Sequence, residues 1–249
     1  MKAINKEMNK TYNVIVDRRD VIPEHVEQLK EAIKKLEYQI GLAGIHRGLG
    51  MTDDIKETMT RLESHRLWLE TVGKQGEKLG IDEIDLRNMD LSQYPLDQAY
   101  ITACTFDGMN LNHKDFSSSL LSSSTFISTY LEGADFCKSN VSYADFTNAN
   151  LKAARLSDSE CIETVFVQAD LSDANLVAGL FDETDFRNAI FFNADLRLAT
   201  FENVLLKGAK LTGVRGLEEA FIKSINIGTP EQPKILVGEE ARKWLQDNK

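Results

Sequence analysis

Residues Ala134–Ala153 read ADFCKSNVSYADFTNANLKA. Phe136, Val141, Phe146 and Leu151 fall at every fifth position of this stretch. Counting outward in both directions, the series runs from Ile81 to Leu211, 27 positions without a slip of phase. A strict internal repeat of this kind decides the fold before any single element is assigned. An α-helix turns by about 100° per residue, so residues five apart scatter around it and form no stripe. A straight strand sends them to opposite faces. Only a chain that bends at a fixed place in every pentad can turn all of them toward one axis. The pattern therefore predicts a β-solenoid.

A second series supports this. Two residues before each apolar centre the side chain is usually small, as at Ala134, Ser139, Ala144, Ala149, Ala169, Ala174 and Ala194. A narrow lumen has room for one large side chain per pentad, and these residues share the interior with it. The residue between the two is often Asp or Asn, as in Ala134-Asp135-Phe136 and Ala149-Asn150-Leu151. Phe106, Phe126, Phe146, Phe166 and Phe186 recur at intervals of 20, which predicts one stacked core ladder. At the N-terminal end Ile84, Met89, Tyr94, Met109 and Lys114 occupy the small position. The coils there are expected to be wider or distorted.

These motifs resemble the pentapeptide-repeat family, whose repeat is Ala-(Asp/Asn)-Leu/Phe-X-X. The match covers residues 81–213. The resemblance implies a mainly β fold, a right-handed quadrilateral β-helix with four pentads per coil. Some members are DNA mimics that occupy the DNA-binding surface of type II topoisomerases.

The flanks differ in character. Residues 1–21 read as a flexible arm, polar and without the apolar core of a secretory signal. Residues 22–80 read as an antiparallel α-helical hairpin. Ile22, Val26, Leu29, Ile33, Leu36 and Ile40 have coiled-coil spacing. Gly41, Gly44, Gly48 and Gly50 break that helix. A second helix starts near Thr52–Asp54 with an apolar face of Ile55, Met59, Leu62, Leu69 and Val72, and Trp68 lies beside this seam. The hairpin either caps the solenoid or recruits a partner. Residues 214–249 read as a small C-terminal cap: a helix at Leu217–Ile225, a strand at Lys234–Val237 and a helix at Glu239–Gln246. A homodimer could form through the N-terminal helices or this cap.

No chemistry-bearing constellation emerges. The glycine loop at 41–50 lacks the order of a phosphate-binding loop. His25, His46, His65 and His113 are dispersed, and His65 reads as a helix-flank residue rather than a metal ligand. Cys104 and Cys161 fall on inward positions and Cys137 on an outward one. Three cysteines without CxxC spacing suit a reducing, cytoplasmic setting. No cofactor and no catalytic set is expected, and no apolar run approaches the ~20 residues that span a bilayer.

The chain carries a formal net charge of −10. Residues 81–213 hold 20 acids and 9 bases, so the solenoid carries the whole imbalance. Such a surface disfavours nucleic acid as a partner. Nine of those acids, among them Asp135, Asp145 and Asp170, occupy the repeat's own Asp position. The motif brings most of the acidity whatever the function. Apolar side chains at outward positions are the exception, and six stand on two adjoining faces: Ile127, Tyr130, Val165, Val167, Ile190 and Phe192. A contiguous exposed apolar patch marks a partner site. The sequence thus points to a non-enzymatic protein-interaction scaffold whose partner is a protein. The alternative is a DNA mimic that binds and protects DNA gyrase.

Overall fold

Backbone neighbours between coils are separated by 20 residues. The computed structural model describes residues 53–249. Within it Ile81 lies beside Ile101, Cys161 beside Phe181, and Phe181 beside Phe201, all in parallel register. Isolated parallel bridges such as Asp135↔Arg155 and Asn150↔Asp170 continue the same register between the strands. Four pentads therefore make one coil. The arm at 1–21, the first hairpin helix, the glycine loop, His25 and His46 lie outside the described residues.

The element order is α1 (Asp53–Glu70), β1 (Gly80–Asp82), β2 (Tyr100–Thr102), β3 (Glu160–Ile162), β4 (Leu180–Asp182), β5 (Thr200–Glu202), β6 (Val204–Leu205), β7 (Phe221–Ile222), β8 (Ser224–Asn226), β9 (Ile235–Val237) and α2 (Gly238–Asp247). All the named solenoid strands are short because the chain turns once per pentad. From the second coil on, the turn places the second residue after each centre at positive φ, as at Ser118 (58°), Tyr143 (63°), Asn193 (58°) and Leu198 (59°). A carbonyl–amide bond closes most of these turns, as from Ala134 N–H to Leu131 O at 3.0 Å. This is the type II geometry, with its left-handed third residue.

The lumen is filled by large side chains with small ones between them. Phe106, Phe116, Phe126, Phe136, Phe146, Phe166, Phe181 and Phe186 are fully buried, and the small residues Ala134, Ala144, Ala154, Ala169 and Ala174 are buried between them. The ladder Phe106–Phe126–Phe146–Phe166–Phe186 stacks with centroid spacings of 4.6, 4.7, 4.9 and 5.0 Å. Phe116 and Phe136 meet it edge-on from another side. Inward hydroxyls are satisfied across coils, as Ser124 Oγ donates to Ile101 O and Thr129 Oγ1 to Phe106 O, or within the turn, as Ser139 Oγ donates to Phe136 O.

The first two coils depart from the ideal. Asn88 and Gln93 are missing from the left-handed corner series. Met89 and Met109 are only partly buried against the core, and Lys114 enters from the side.

Two readings of the flanks are corrected. Leu217–Ile225 is not a helix but contains β7 and β8. β7 extends the sheet of β5, and β8 pairs with β6 and β9. Strand pairing satisfies this segment's backbone and covers the last coil. Between Arg215 and Phe221 one residue is inserted, since Asp195 pairs with Arg215 but Thr200 pairs with Phe221. In α1 the buried residues are Thr58, Met59, Leu62 and His65, whereas Val72 is 88% exposed. Val72 (φ 54°) and Gly73 (φ 77°) sit in the left-handed turn that ends the helix, which carries Val72 off the apolar face. His65 is a buried docking residue, not a flank residue.

Candidate interaction surface

Each pentad has a fixed hydrogen-bond pattern, and it explains the repeat's chemistry. In the pentad around Leu131, the amides of Leu131 and Gly133 donate forward to Asn150 O and Lys152 O. In the pentad around Leu151, the amide of Asn150 donates back to Thr129 O. The amide just after the centre has no carbonyl in reach. The Asp or Asn just before the centre accepts it instead: Cys137 N–H to Asp135 Oδ1 at 2.9 Å, Thr147 N–H to Asp145 Oδ1 at 2.8 Å, Lys152 N–H to Asn150 Oδ1 at 3.2 Å. These are Asx turns. The same bond forms at Asp85, Asp90, Asp115, Asp170, Asp185 and Asp195. Eight of the nine acids at the repeat's own position are thus turn braces, Glu160 being the exception.

Several of these carboxylates also hold a cation. Arg187 chelates Asp185, Arg197 chelates Asp195, and Arg155 reaches Asp135 from the next coil at 2.8 Å. The side-chain and amide bonds from Arg87 hold the Asp85 carboxyl down to about 2. Burial pushes Asp195 up, but the bonds from Arg197 and the nearby Arg215 outweigh it, and the group sits below its ordinary value.

The structure divides the six outward apolar residues into two groups. Val165 and Val167 lie in one coil, and Ile190 and Phe192 lie in the next on the adjoining face. Val165 is flanked in its column by Asp145 and Asp185. Tyr130 and Ile190 share a column, but Asn150 and Asp170 stand between them. Lys152 pairs with Asp170 across that interval. Ile127 lies beside Asp107, whose carboxylate accepts its amide. Tyr130 and Phe192 are 55% and 47% exposed, and the other four are half-buried. Spacing alone put all six on neighbouring faces. The interleaved charges depend on the 20-residue register.

The sequence did not single out Lys114 as a site residue. Its ammonium fills an inward small-residue position and donates to Leu91 O, Ser92 O and Tyr94 O at 2.6, 3.3 and 3.1 Å. Burial lowers its pKa. Beside it lies a recess of about 630 Å3 lined by Met89, Tyr94, Met109 and His113 among others.

The thiols follow their predicted positions. Cys104 and Cys161 are buried, and burial pushes them up to about 11 and about 12. Cys137 is half-buried on the outer side. Among the described residues no group of three or more His, Cys, Asp or Glu side chains could hold a metal ion, and no helix is long and apolar enough to cross a membrane.

Family models agree with this architecture. A model of pentapeptide repeats in eight copies matches residues 99–136 and 115–152, and a pentapeptide repeat region model matches 142–211. No curated protein matches the chain. Among solved structures, a pentapeptide repeat protein from the Arabidopsis thaliana thylakoid lumen is 29% identical over 43% of this chain, with a TM-score of 0.28. The chain covers 64% of that protein's length. HetL, a pentapeptide repeat protein involved in heterocyst differentiation regulation in Nostoc sp. strain PCC 7120, is 19% identical over 65% of this chain and 94% of its own, with a TM-score of 0.23. Full-length QnrB1, a plasmid-mediated fluoroquinolone resistance protein, is 14% identical over 55% of this chain and 91% of its own, with a TM-score of 0.22. The period of five, the braced left-handed corner and the family models lead to one conclusion: residues 99–211 of this chain are a pentapeptide repeat region.

Proposed function

We propose that the protein is a non-enzymatic scaffold that binds a protein partner through the outer faces of its solenoid. One observation carries this reading. The large apolar side chains of the repeat are buried in the lumen, while Val165, Val167, Ile190 and Phe192 put apolar surface on two adjoining outer faces of consecutive coils. Exposed aromatic residues such as Phe192 are enriched at protein interfaces. The three free cysteines suit work in a reducing, cytoplasmic setting.

The test is partner capture from host lysate by the wild type and by Val167→Asp with Phe192→Asp. Both residues point outward, so β circular dichroism should be unchanged while capture is lost. Retained capture by the double variant would overturn the reading.

A second reading, a DNA mimic acting on DNA gyrase, is favoured by one feature. Glu163 and Glu183 are exposed at the same corner of consecutive coils, next to Asp182 and Glu202. It predicts protection of gyrase supercoiling against a fluoroquinolone, weakened by Glu163→Gln with Glu183→Gln and by added salt. The motif carboxylates weaken this reading, since the turns they brace account for their presence.

A further inference from the structure

His65 is fully buried between α1 and the first coil. Its Nε2 lies 3.0 Å from Asp97 O, and its Nδ1 lies 3.1 Å from the amide nitrogen of Leu79. A carbonyl oxygen only accepts and a backbone N–H only donates. Nε2 must therefore carry the hydrogen and Nδ1 must be bare. The ring is held as one neutral tautomer by two main-chain groups of opposite kind.

Those two groups mark the beginning and the end of the first coil. Leu79 immediately precedes β1, and Tyr100, which opens β2, donates its amide to Leu79 O at 2.9 Å. In later coils the carbonyl equivalent to Asp97 accepts an amide from the preceding coil, as Ser117 O accepts from Gln98 N–H. Among the described residues no coil precedes the first one, and His65 supplies the donor. Arg61, one turn earlier on α1, does the same for Gly80 O at 2.7 Å. In later coils Leu120 O, which is equivalent to Gly80 O, accepts from Ile101 N–H. Side chains of α1 thus take the place of a missing coil.

We propose that His65 is an acid-released latch: a proton at Nδ1 undocks α1 and uncovers the strand edge of the first coil. The added hydrogen would point at the Leu79 N–H, setting donor against donor and leaving a buried amide without an acceptor. Other charged groups do not offset this. The Asp97 carboxylate favours the charged ring and Lys78 opposes it. Arg61 on the same helix is engaged with Glu57 and Gly80 O. Burial dominates, and the imidazole titrates below its ordinary 6.5. A group whose pKa is lowered on docking binds fewer protons docked than released. Docking is therefore at full strength above about pH 6.5 and weakens as pH falls from there through the lowered value.

Trp68 stacks on the His65 ring, with centroids 5.9 Å apart and planes at 13°, and provides the optical probe. In a Trp244→Phe background, the emission of Trp68 should shift reversibly below about pH 6.5. The protection of the Leu79 amide, corrected for intrinsic exchange, should fall about tenfold per pH unit in that window, the slope for one coupled proton. His65→Gln can accept from Leu79 and donate to Asp97 but does not titrate, so its profile should be flat. His113→Gln should keep the transition. A flat wild type from about pH 8 to about pH 5, or an unchanged transition in His65→Gln, would overturn the latch. Nitrogen-15 imidazole shifts of the wild type test the tautomer independently: a protonated Nδ1 in the docked protein at about pH 8 would also overturn it.

Discussion

Phe126 and Phe146 stand 20 residues apart in sequence and stack with ring centroids 4.7 Å apart and planes within 2°. Their separation equals one coil of backbone. The spacing between neighbouring strands of a sheet is about 4.8 Å. A ladder of rings thus repeats at the pitch of the hydrogen bonds outside it. Side-chain stacking and main-chain pairing then select the same register.

The lumen should respond to volume in both directions. Phe146→Ala removes a ring stacked on both sides and should destabilise by about 3–5 kcal/mol. Ala169→Leu should destabilise by about 1–3 kcal/mol through overpacking. Denaturant melts followed by circular dichroism measure both. Wild-type midpoints in the two variants would mean that the interior is not packed as described.

Two glycines with left-handed backbone, one at a corner and one just beyond the repeat, separate backbone strain from crowding. Gly108 (φ +68°) has open space where a Cβ would go. Gly108→Ala should therefore cost only the left-handed penalty, about 1–2 kcal/mol. At Gly216 (φ +77°) a Cβ would lie 2.3 Å from Arg197 Cγ and 2.6 Å from Arg197 N. Gly216→Ala should be clearly the worse of the pair in a thermal melt. Equal losses would show that the close approach of these two coils is not real.

The C-terminal end is closed by a cation. Arg242 of α2 donates to Leu217 O at 2.9 Å and to Ala220 O at 3.0 Å. Arg242→Met keeps most of the apolar stem and deletes both donors, which should cost about 1.5–3 kcal/mol for bonds from a charged group. Amide exchange should accelerate at Ser224–Asn226 and hardly change at Asn140. Uniform acceleration along the chain would mean that α2 stabilises the whole rod rather than its end.

Acid should weaken the corners. Carboxylates held below their ordinary 3.8 contribute stability that is complete above about pH 4 and lost as pH falls through the lowered value. Asp195→Asn should keep the amide brace but loosen the grip of Arg197. That variant should be less stable than the wild type at neutral pH, and the difference should shrink toward pH 2. A constant difference across this range would show that Asp195 acts by shape alone.

The sequence by itself determined the repeat unit. A period of five is incompatible with a helix or a straight strand, so the inward centres and the small partners beside them could be named from spacing. The core ladder could be read because its members differ by whole coils. The solenoid's charge was countable, but its use was not. Whether Asp145 faces a partner or its own turn depends on where Thr147 N–H points, and only the folded corner decides that. The outward apolar residues were found by position, yet Asn150 and Asp170 divide them through contacts between coils. The ends were least legible. A terminal coil lacks a neighbour, so its open carbonyls must be met by whatever donors the flanking segments bring near. Arg61, His65 and Arg242 fill that role through packing between distant segments, and no periodicity in the chain marks them for it.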